Sequence, residues 1–290
     1  GTHEAVLKEL SAVMEVTYHL FDPTGNITLL VETPVPAEER LSVAAALMKA
    51  EPSVEQVGFV SAPSDSGCDI DLQMAGGEFC GNATMSAAAL VAMRSGKTPE
   101  QGDPIGVTVR SSGASGPVTV ALKAETDTAY YGSVIMPKPR SIDDAPFSVT
   151  GDGRKPVIVR FDGIAHVILE RPAPEGEGGR SRAEAMARSW CEALGTDAIG
   201  ILFFERHKLR LTPLVYVPAA GTLCWESACG SGTTAIGAYM ADRTGKPVDI
   251  TVKEPGGSLN ILSLEDGTLQ MSGTVKSLDR KTATLAFCPD

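Results

Sequence analysis

Apolar residues fall along this chain in two alternating rhythms. Short runs rich in Val, Ile and Leu, bounded by Gly, Pro, Asp and Ser, predict strands at Leu29–Val31, Gly106–Arg110, Val118–Leu122, Val157–Phe161, Val167–Leu169, Leu209–Val217 and Lys281–Phe287. Longer stretches with apolar positions three and four apart predict helices at Glu38–Met48, Thr84–Met93, Arg182–Leu194 and Thr233–Met240. Arg171–Arg180, with its Pro, Glu and Gly residues, reads as an exposed loop.

The pattern occurs twice. Phe79-Cys80-Gly81-Asn82-Ala83-Thr84 opens an Ala-rich helical segment, and Ala228-Cys229-Gly230-Ser231-Gly232-Thr233 opens another. Their surroundings echo in the same order. Gly25–Thr33 matches Gly163–Arg171, Gly58–Val60 matches Gly200–Leu202, and Val107–Gly113 matches Ile250–Gly256. Repeats in register predict an α+β chain of two pseudo-symmetric, similar domains, each a curved, mostly antiparallel sheet around a central helix. The expected halves are 14–140 and 155–290, joined near Arg140–Lys155.

Composition narrows the function. The 25 Lys and Arg against 36 Asp and Glu leave a net charge of −11, and no basic run interrupts it. Such a surface repels phosphate backbones, so nucleic acid is not an expected partner. No apolar stretch approaches the roughly 20 residues of a membrane helix. Gly1-Thr2-His3 reads as a tag remnant, and Glu4–Leu10 lacks the apolar core of a signal peptide. The six cysteines include no CxxC pair, so neither a structural zinc site nor a disulfide scaffold is expected, and a reducing, cytoplasmic setting fits them.

Cys80 and Cys229 each stand at or just before a helix start, followed by glycine. First-turn N–H groups have no helical partner, and the helix dipole adds positive charge there. Such a position favours a thiolate and can receive a carboxylate. Face to face, two such turns would flank the α-carbon of a small carboxylic acid with two sulfurs. One thiolate would remove the α-proton while the opposite thiol delivers another, inverting the centre without a cofactor or metal. Cys68, Cys191 and Cys288 read instead as small buried hydrophobes, and Cys224 as packing.

These motifs resemble the diaminopimelate epimerase superfamily of two-cysteine, cofactor-independent racemases and epimerases. Gly25-Asn26, Cys80-Gly81-Asn82, His166, Ala228-Cys229-Gly230-Ser231-Gly232 and Met271-Ser272-Gly273 follow its landmarks in order. The resemblance implies Cys80 and Cys229 as the catalytic pair. Gly81, Asn82, Gly230 and Ser231 would hold the substrate carboxylate, and Asn26 would line the site. The family's Glu-Arg pair before the second cysteine is here Ala220-Gly221, its Asn is Ile164, and an Arg is Met85. The groups that would bind the distal end of diaminopimelate are gone, which disfavours that substrate. Met74–Thr84 and Trp225-Glu226-Ser227 look more like the histidine racemase branch. Glu78 and Glu226 are candidates for the substrate ammonium or a basic side chain, or are solvated charges. His166 is expected to be structural. The reading is a cofactor-independent amino-acid racemase with a two-base thiolate/thiol mechanism and histidine as the expected substrate, with a homodimer compatible; the alternatives are a diaminopimelate epimerase or a non-catalytic amino-acid-binding or thiol-redox protein.

Overall fold

The computed structural model describes residues 12–96, 103–147 and 154–288. The expected tag remnant at 1–3, the segment 4–10 and the centre of the joining segment lie outside them. The first half runs β1 (Ala12–Pro23), β2 (Thr28–Val31), α1 (Arg40–Ala50), β3 (Gln56–Ser61), β4 (Ile70–Met74), α2 (Gly81–Arg94), β5 (Ile105–Ser111), β6 (Val118–Ala124) and β7 (Ala129–Met136). The second runs β8 (Ser141–Asp144), β9 (Val157–Phe161), β10 (Ile164–Leu169), α3 (Gly176–Leu194), β11 (Ile199–Glu205), β12 (Arg210–Val217), β13 (Thr222–Trp225), α4 (Gly230–Thr244), β14 (Asp249–Glu254), β15 (Gly257–Ser263) and β16 (Leu269–Phe287).

Strand pairing repeats with the sequence. Antiparallel β1–β2, parallel β2–β3, antiparallel β3–β4 and parallel β4–β5 recur as β9–β10, β10–β11, β11–β12 and β12–β14 with the same senses. Both parallel pairings in each half span a helix, as parallel neighbours require. The parallel pairings make the fold mixed α/β. The first set closes into an eight-stranded barrel, β1 through β7 and then β16 back to β1; the second set stays open from β16 to β8.

One strand makes this a single hydrogen-bonded sheet. The start of β16 pairs with both β15 and β7, and Val275–Phe287 runs antiparallel along nearly all of β1. A separation into two independent sheets is therefore not what the pairing displays, because the last strand of the second half completes the barrel of the first.

α2 fills the barrel. Eleven of its fourteen residues are buried, including Ala83, Ala87, Ala88, Ala89 and Ala92. A helix enclosed on all sides carries no polar stripe, and alanine lets strands approach from every direction. α4 occupies the matching place against β10, β14, β15 and β16. A single apolar core joins both helices, while α1 and α3 cover the outer faces with smaller clusters.

α3 begins inside the stretch read as a loop. Gly176–Arg180 is its first turn and a half, exposed but helical. The Arg180 guanidinium stacks 4.6 Å from the centroid of the Trp225 ring, and the Trp225 indole N–H donates to Glu184 at 2.9 Å. Those tertiary contacts hold a glycine-rich segment in a helix that local propensity disfavours. Cys288 is exposed rather than buried, because it follows the last paired strand; Cys68 and Cys191 are buried as expected.

Gly113 shows how tightly the loop before α2 is held. Its φ is +72°, and a Cβ there would sit 2.3 Å from the Phe79 nitrogen. Backbone strain and overpacking both follow, so Gly113→Ala should lose about 2–4 kcal/mol in urea denaturation. Gly116→Ala, whose Cβ would enter open space, is the control and should change little.

Candidate active site

Cys80 and Cys229 cap α2 and α4 in the same way. Each is extended, with φ and ψ of −129° and 113° at Cys80 and −124° and 111° at Cys229. The Cys80 sulfur accepts the Ala83 N–H at 3.4 Å, and the Cys229 sulfur accepts the Gly232 N–H at 3.3 Å. Thr84 and Thr233 lock the turns by donating their hydroxyls to the Cys80 and Cys229 carbonyls, at 2.8 and 2.7 Å. Beneath both turns lies Met271. A Cβ at Gly81 would lie 2.9 Å from the Met271 methyl, and one at Gly230 2.7 Å from its sulfur. The glycine after each cysteine thus leaves room for methionine side chains, Met271 of β16 at both turns and Met136 of β7 at Gly81.

The two turns open onto one cavity of about 420 Å³. Cys80, Cys229, Gly81, Asn82, Gly230, Ser231, Asn26, Glu78 and Glu226 all line it. So do Ala220, Gly221 and Ile164, where the resemblance loses its Glu-Arg pair and its Asn, and Cys224, for which packing was favoured over lining the site. Met85 is buried in the barrel core instead. Among the described residues, no Lys, Arg or His lines the cavity.

Four residues carry the site that sequence reasoning did not single out or gave another role. Glu55 accepts the Asn26 side-chain N–H at 2.8 Å, together with the backbone N–H and hydroxyl of Ser227 at 2.8 and 2.6 Å. This joins the two halves of the chain. Gln56 bridges Asn26, Thr28 and Cys80. Glu254 accepts the Cys229 backbone N–H at 2.9 Å and the Thr233 hydroxyl at 2.8 Å. His166, expected to be structural, is fully buried with its Nε2 2.9 Å from the Ser231 hydroxyl. Of Glu55, Gln56 and Glu254, which sequence reasoning did not single out, only Glu254 had a signal. It follows Val252 at the two-residue spacing of one strand face, which puts a carboxylate among inward-facing positions.

Burial dominates the electrostatics. It pushes the Cys80 thiol up to about 12, with the Glu226 and Glu78 carboxylates adding to it. Cys229 is raised well above its ordinary value by burial and by Glu226. The amide N–H bonds to both sulfurs oppose these shifts without reversing them. The thiolate expected from the helix N-termini is therefore not the favoured state of either cysteine in the empty site. Burial also raises Glu78, and raises Glu226 and Glu254 each to about 8. His166 falls to about 3 by burial alone, so it stays neutral.

These shifts set a sign for stability against pH. Glu226 and Glu254 hold protons in the folded chain that the unfolded chain releases near 4.5. Their contribution is full below about pH 4.5 and is lost as pH rises towards about 8. Folding stability should fall across that window, and Glu226→Gln should flatten the decline. Urea midpoints at a series of pH values give the slope; an unchanged slope in Glu226→Gln would contradict the raised carboxyl.

Known proteins bear on this geometry. The family model for the histidine racemase CntK N-terminal domain matches residues 15–277. A histidine racemase of Staphylococcus aureus is 31% identical over 272 residues, spanning 93% of this chain and 96% of that protein. Another, from Fusobacterium nucleatum, is 29% identical over 259 residues, 88% of this chain and 92% of that protein. Among solved structures, a predicted epimerase from Pseudomonas aeruginosa superposes with a TM-score of 0.65 at 14% identity, over 92% of this chain and 99% of its own. A hydroxyproline epimerase from Agrobacterium vitis with bound trans-4-hydroxy-L-proline gives 0.64 at 11% identity, over 94% and 92%. At these identities the structural likeness is one of fold.

Proposed function

Because the chain belongs to the histidine racemase CntK family, we propose that it racemises histidine by a two-base mechanism in which Cys80 and Cys229 act on opposite faces of the α-carbon. The protein is an isomerase, and an amino-acid racemase is the activity its relatives support. The observation that carries the mechanism is the pair of cysteine-capped helix starts opening onto one cavity.

In this reading the substrate carboxylate sits at the first-turn N–H groups of Gly81 and Asn82 on α2 and of Gly230 and Ser231 on α4. Those donors have no place in either helical ladder. They also receive the charge that develops as the α-carbon becomes planar. The empty-site thiols are too basic to ionise readily. A bound ammonium and the α-proton's acidity, increased by the same donors, bring the two proton affinities closer. Asn26 and Glu226 border the reacting centre, Glu226 as a partner for the ammonium. The halves 14–140 and 155–290 would each contribute one such turn.

The side chain has a separate partner. Glu78 keeps one carboxylate oxygen, Oε2, buried without a hydrogen bond. That oxygen and a Val217 methyl both crowd Gly76, at 2.5 and 2.6 Å from where a Cβ would be, with the Ala220 methyl at 3.4 Å. A carboxylate beside an apolar wall suits a flat ring with an N–H at its edge, which an imidazole supplies. Diaminopimelate would instead bury a second carboxylate beside Ala220, Gly221 and Ile164, near Glu78 and with no Lys, Arg or His among the described lining residues to meet it.

Circular-dichroism loss from L-histidine tests the reading. Cys80→Ser and Cys229→Ser should each abolish it while folding is kept, as the two sulfurs act together. Glu78→Gln should raise KM for histidine more than it lowers kcat. Diaminopimelate should react with kcat/KM lower by at least roughly 10–100-fold, the expectation for polar groups left unpaired. Comparable rates with diaminopimelate would overturn the substrate; turnover in either serine variant would overturn the mechanism.

A further inference from the structure

We infer that Glu55 is a positioning residue for the reaction: reaching across from the first half, it fixes Ser227 and so seats Glu226 and the Cys229 turn at the cavity. The inference rests on the racemase reading above, in which Glu226 meets the substrate ammonium.

The segment from Glu226 to Cys229 joins β13 to α4, and both halves of the chain hold its backbone. Its own half supplies the Pro213 carbonyl, which accepts the Glu226 N–H at 3.0 Å, and the Gly256 N–H, which donates to the Ser227 carbonyl at 2.7 Å. Glu254 accepts the Cys229 N–H. The first half supplies the rest. Glu55 takes the Ser227 N–H on one oxygen at 2.8 Å and the Ser227 hydroxyl on the other at 2.6 Å. Asn82 donates its side-chain N–H to the Ala228 carbonyl at 3.3 Å. Asn26 ties these two together, donating to Glu55 at 2.8 Å and accepting from Asn82 at 3.1 Å. Close backbone packing holds the other side. A Cβ at Gly256 would come within 2.4 Å of the Thr24 carbonyl oxygen, and one at Gly25 within 2.6 Å of the Gly256 Cα. Ser227 is gripped between these contacts, immediately after Glu226.

The repeat folds without such a clamp on its other side. Counting from the matched glycines and cysteines, Asn26, Glu55 and Ser227 correspond to Ile164, Asp197 and Glu78. Ile164 has no polar group to link the others, and Asp197 is exposed. The Glu78 carbonyl is held by the Ser112 hydroxyl of its own half, and its Oε2 has no partner. Among the described residues, no carboxylate of the second half bonds to the Cys80 turn. Helix capping by cysteine therefore does not need Glu55. What distinguishes the Cys229 side is Glu226, where the first half has Gly77. The clamp accompanies the side chain that it would aim.

Glu55 also acts on Glu226 by its charge. Burial raises the Glu226 carboxyl to about 8, the Glu55 carboxylate adds to this, a hydrogen bond with Cys229 opposes it, and Glu254 and Glu78 add the remainder. The other titratable groups facing Glu226 are the Cys80, Cys224 and Cys229 thiols. Substitutions separate position from charge. Glu55→Gln keeps an oxygen for the Ser227 N–H, and its amide N–H meets the Ser227 oxygen, so the clamp stays and the charge goes. Without that charge Glu226 gives up its proton at lower pH. Glu55→Ala removes clamp and charge together.

Measurements on the full chain test both roles. Above about pH 8, where Glu226 is ionised, Glu55→Ala should raise KM for histidine at least about tenfold, with a smaller fall in kcat. Glu55→Gln should stay within about threefold of the unmodified KM there. Infrared titration follows the protonated Glu226 carboxyl as the carbonyl band that Glu226→Gln lacks. Glu55→Gln should move the loss of that band to lower pH by about half a pH unit or more. Glu51→Gln, which breaks a carboxylate pairing with Tyr18 and Lys281 away from the cavity, should leave KM and the band unchanged. An unchanged KM in Glu55→Ala, an equal rise in Glu55→Gln, or a band that stays in place in Glu55→Gln overturns the inference. Should Glu55→Ala not fold, KM and the infrared titration of Glu55→Gln still decide it. Failure of the unmodified enzyme to racemise histidine would instead overturn the histidine reading, and the infrared band would still report whether Glu55 governs Glu226.

Discussion

Two helix N-termini are buried in the middle of this molecule, and their first-turn N–H groups have to be satisfied there. Water reaches such donors at a surface helix, but α2 and α4 begin at a cavity between strands. Each turn uses its own cysteine sulfur to accept one of those N–H groups, while the threonine hydroxyl donates to the cysteine carbonyl and fixes the turn. The residues of both first turns, Gly81, Asn82, Gly230 and Ser231, line the one cavity. The barrel, the alanine-rich helices and the glycines after both cysteines are the packing conditions for that meeting.

The same burial explains why the cavity is lined by acids with no base among the described residues. In the proposed racemase reading, a Lys or Arg near the two turns would compete with their N–H groups for the substrate carboxylate. Glu55 and Glu254 are occupied by backbone and side-chain donors, so they work as structural braces for the loop around Ser227 and for the Cys229 turn. Glu78 retains an unsatisfied oxygen, and Glu226 is held protonated to about pH 8. Low dielectric makes each of these groups sensitive to a single added charge.

β16 connects this chemistry to the whole fold. It ends the second half, completes the barrel of the first, and carries Met271 beneath both cysteine turns. A shift of that strand would displace both turns together. The coupling also means that the two cysteine turns are held in register by backbone hydrogen bonds and not only by side-chain contact across an interface.

Much of this was legible in the residues themselves. Cysteine-glycine at a helix start is a local feature, and its recurrence in two matching contexts disclosed both the internal repeat and the residues around the cavity. The helix and strand types of most segments follow from periodicity for the same reason. Other features depended on contacts distant in sequence. Gly176–Arg180 is helical because Trp225, stacked on Arg180 and bonded to Glu184, holds the start of α3. Glu55 and Gln56 belong to the site through Ser227 and Cys80, and nothing beside them in the chain marks that. Proton affinity reversed between the two levels: a helix N-terminus by itself favours a thiolate, whereas enclosure among carboxylates raises both thiols. Local sequence sets which donors a turn presents, but only the tertiary structure decides how much water and how much charge surround them.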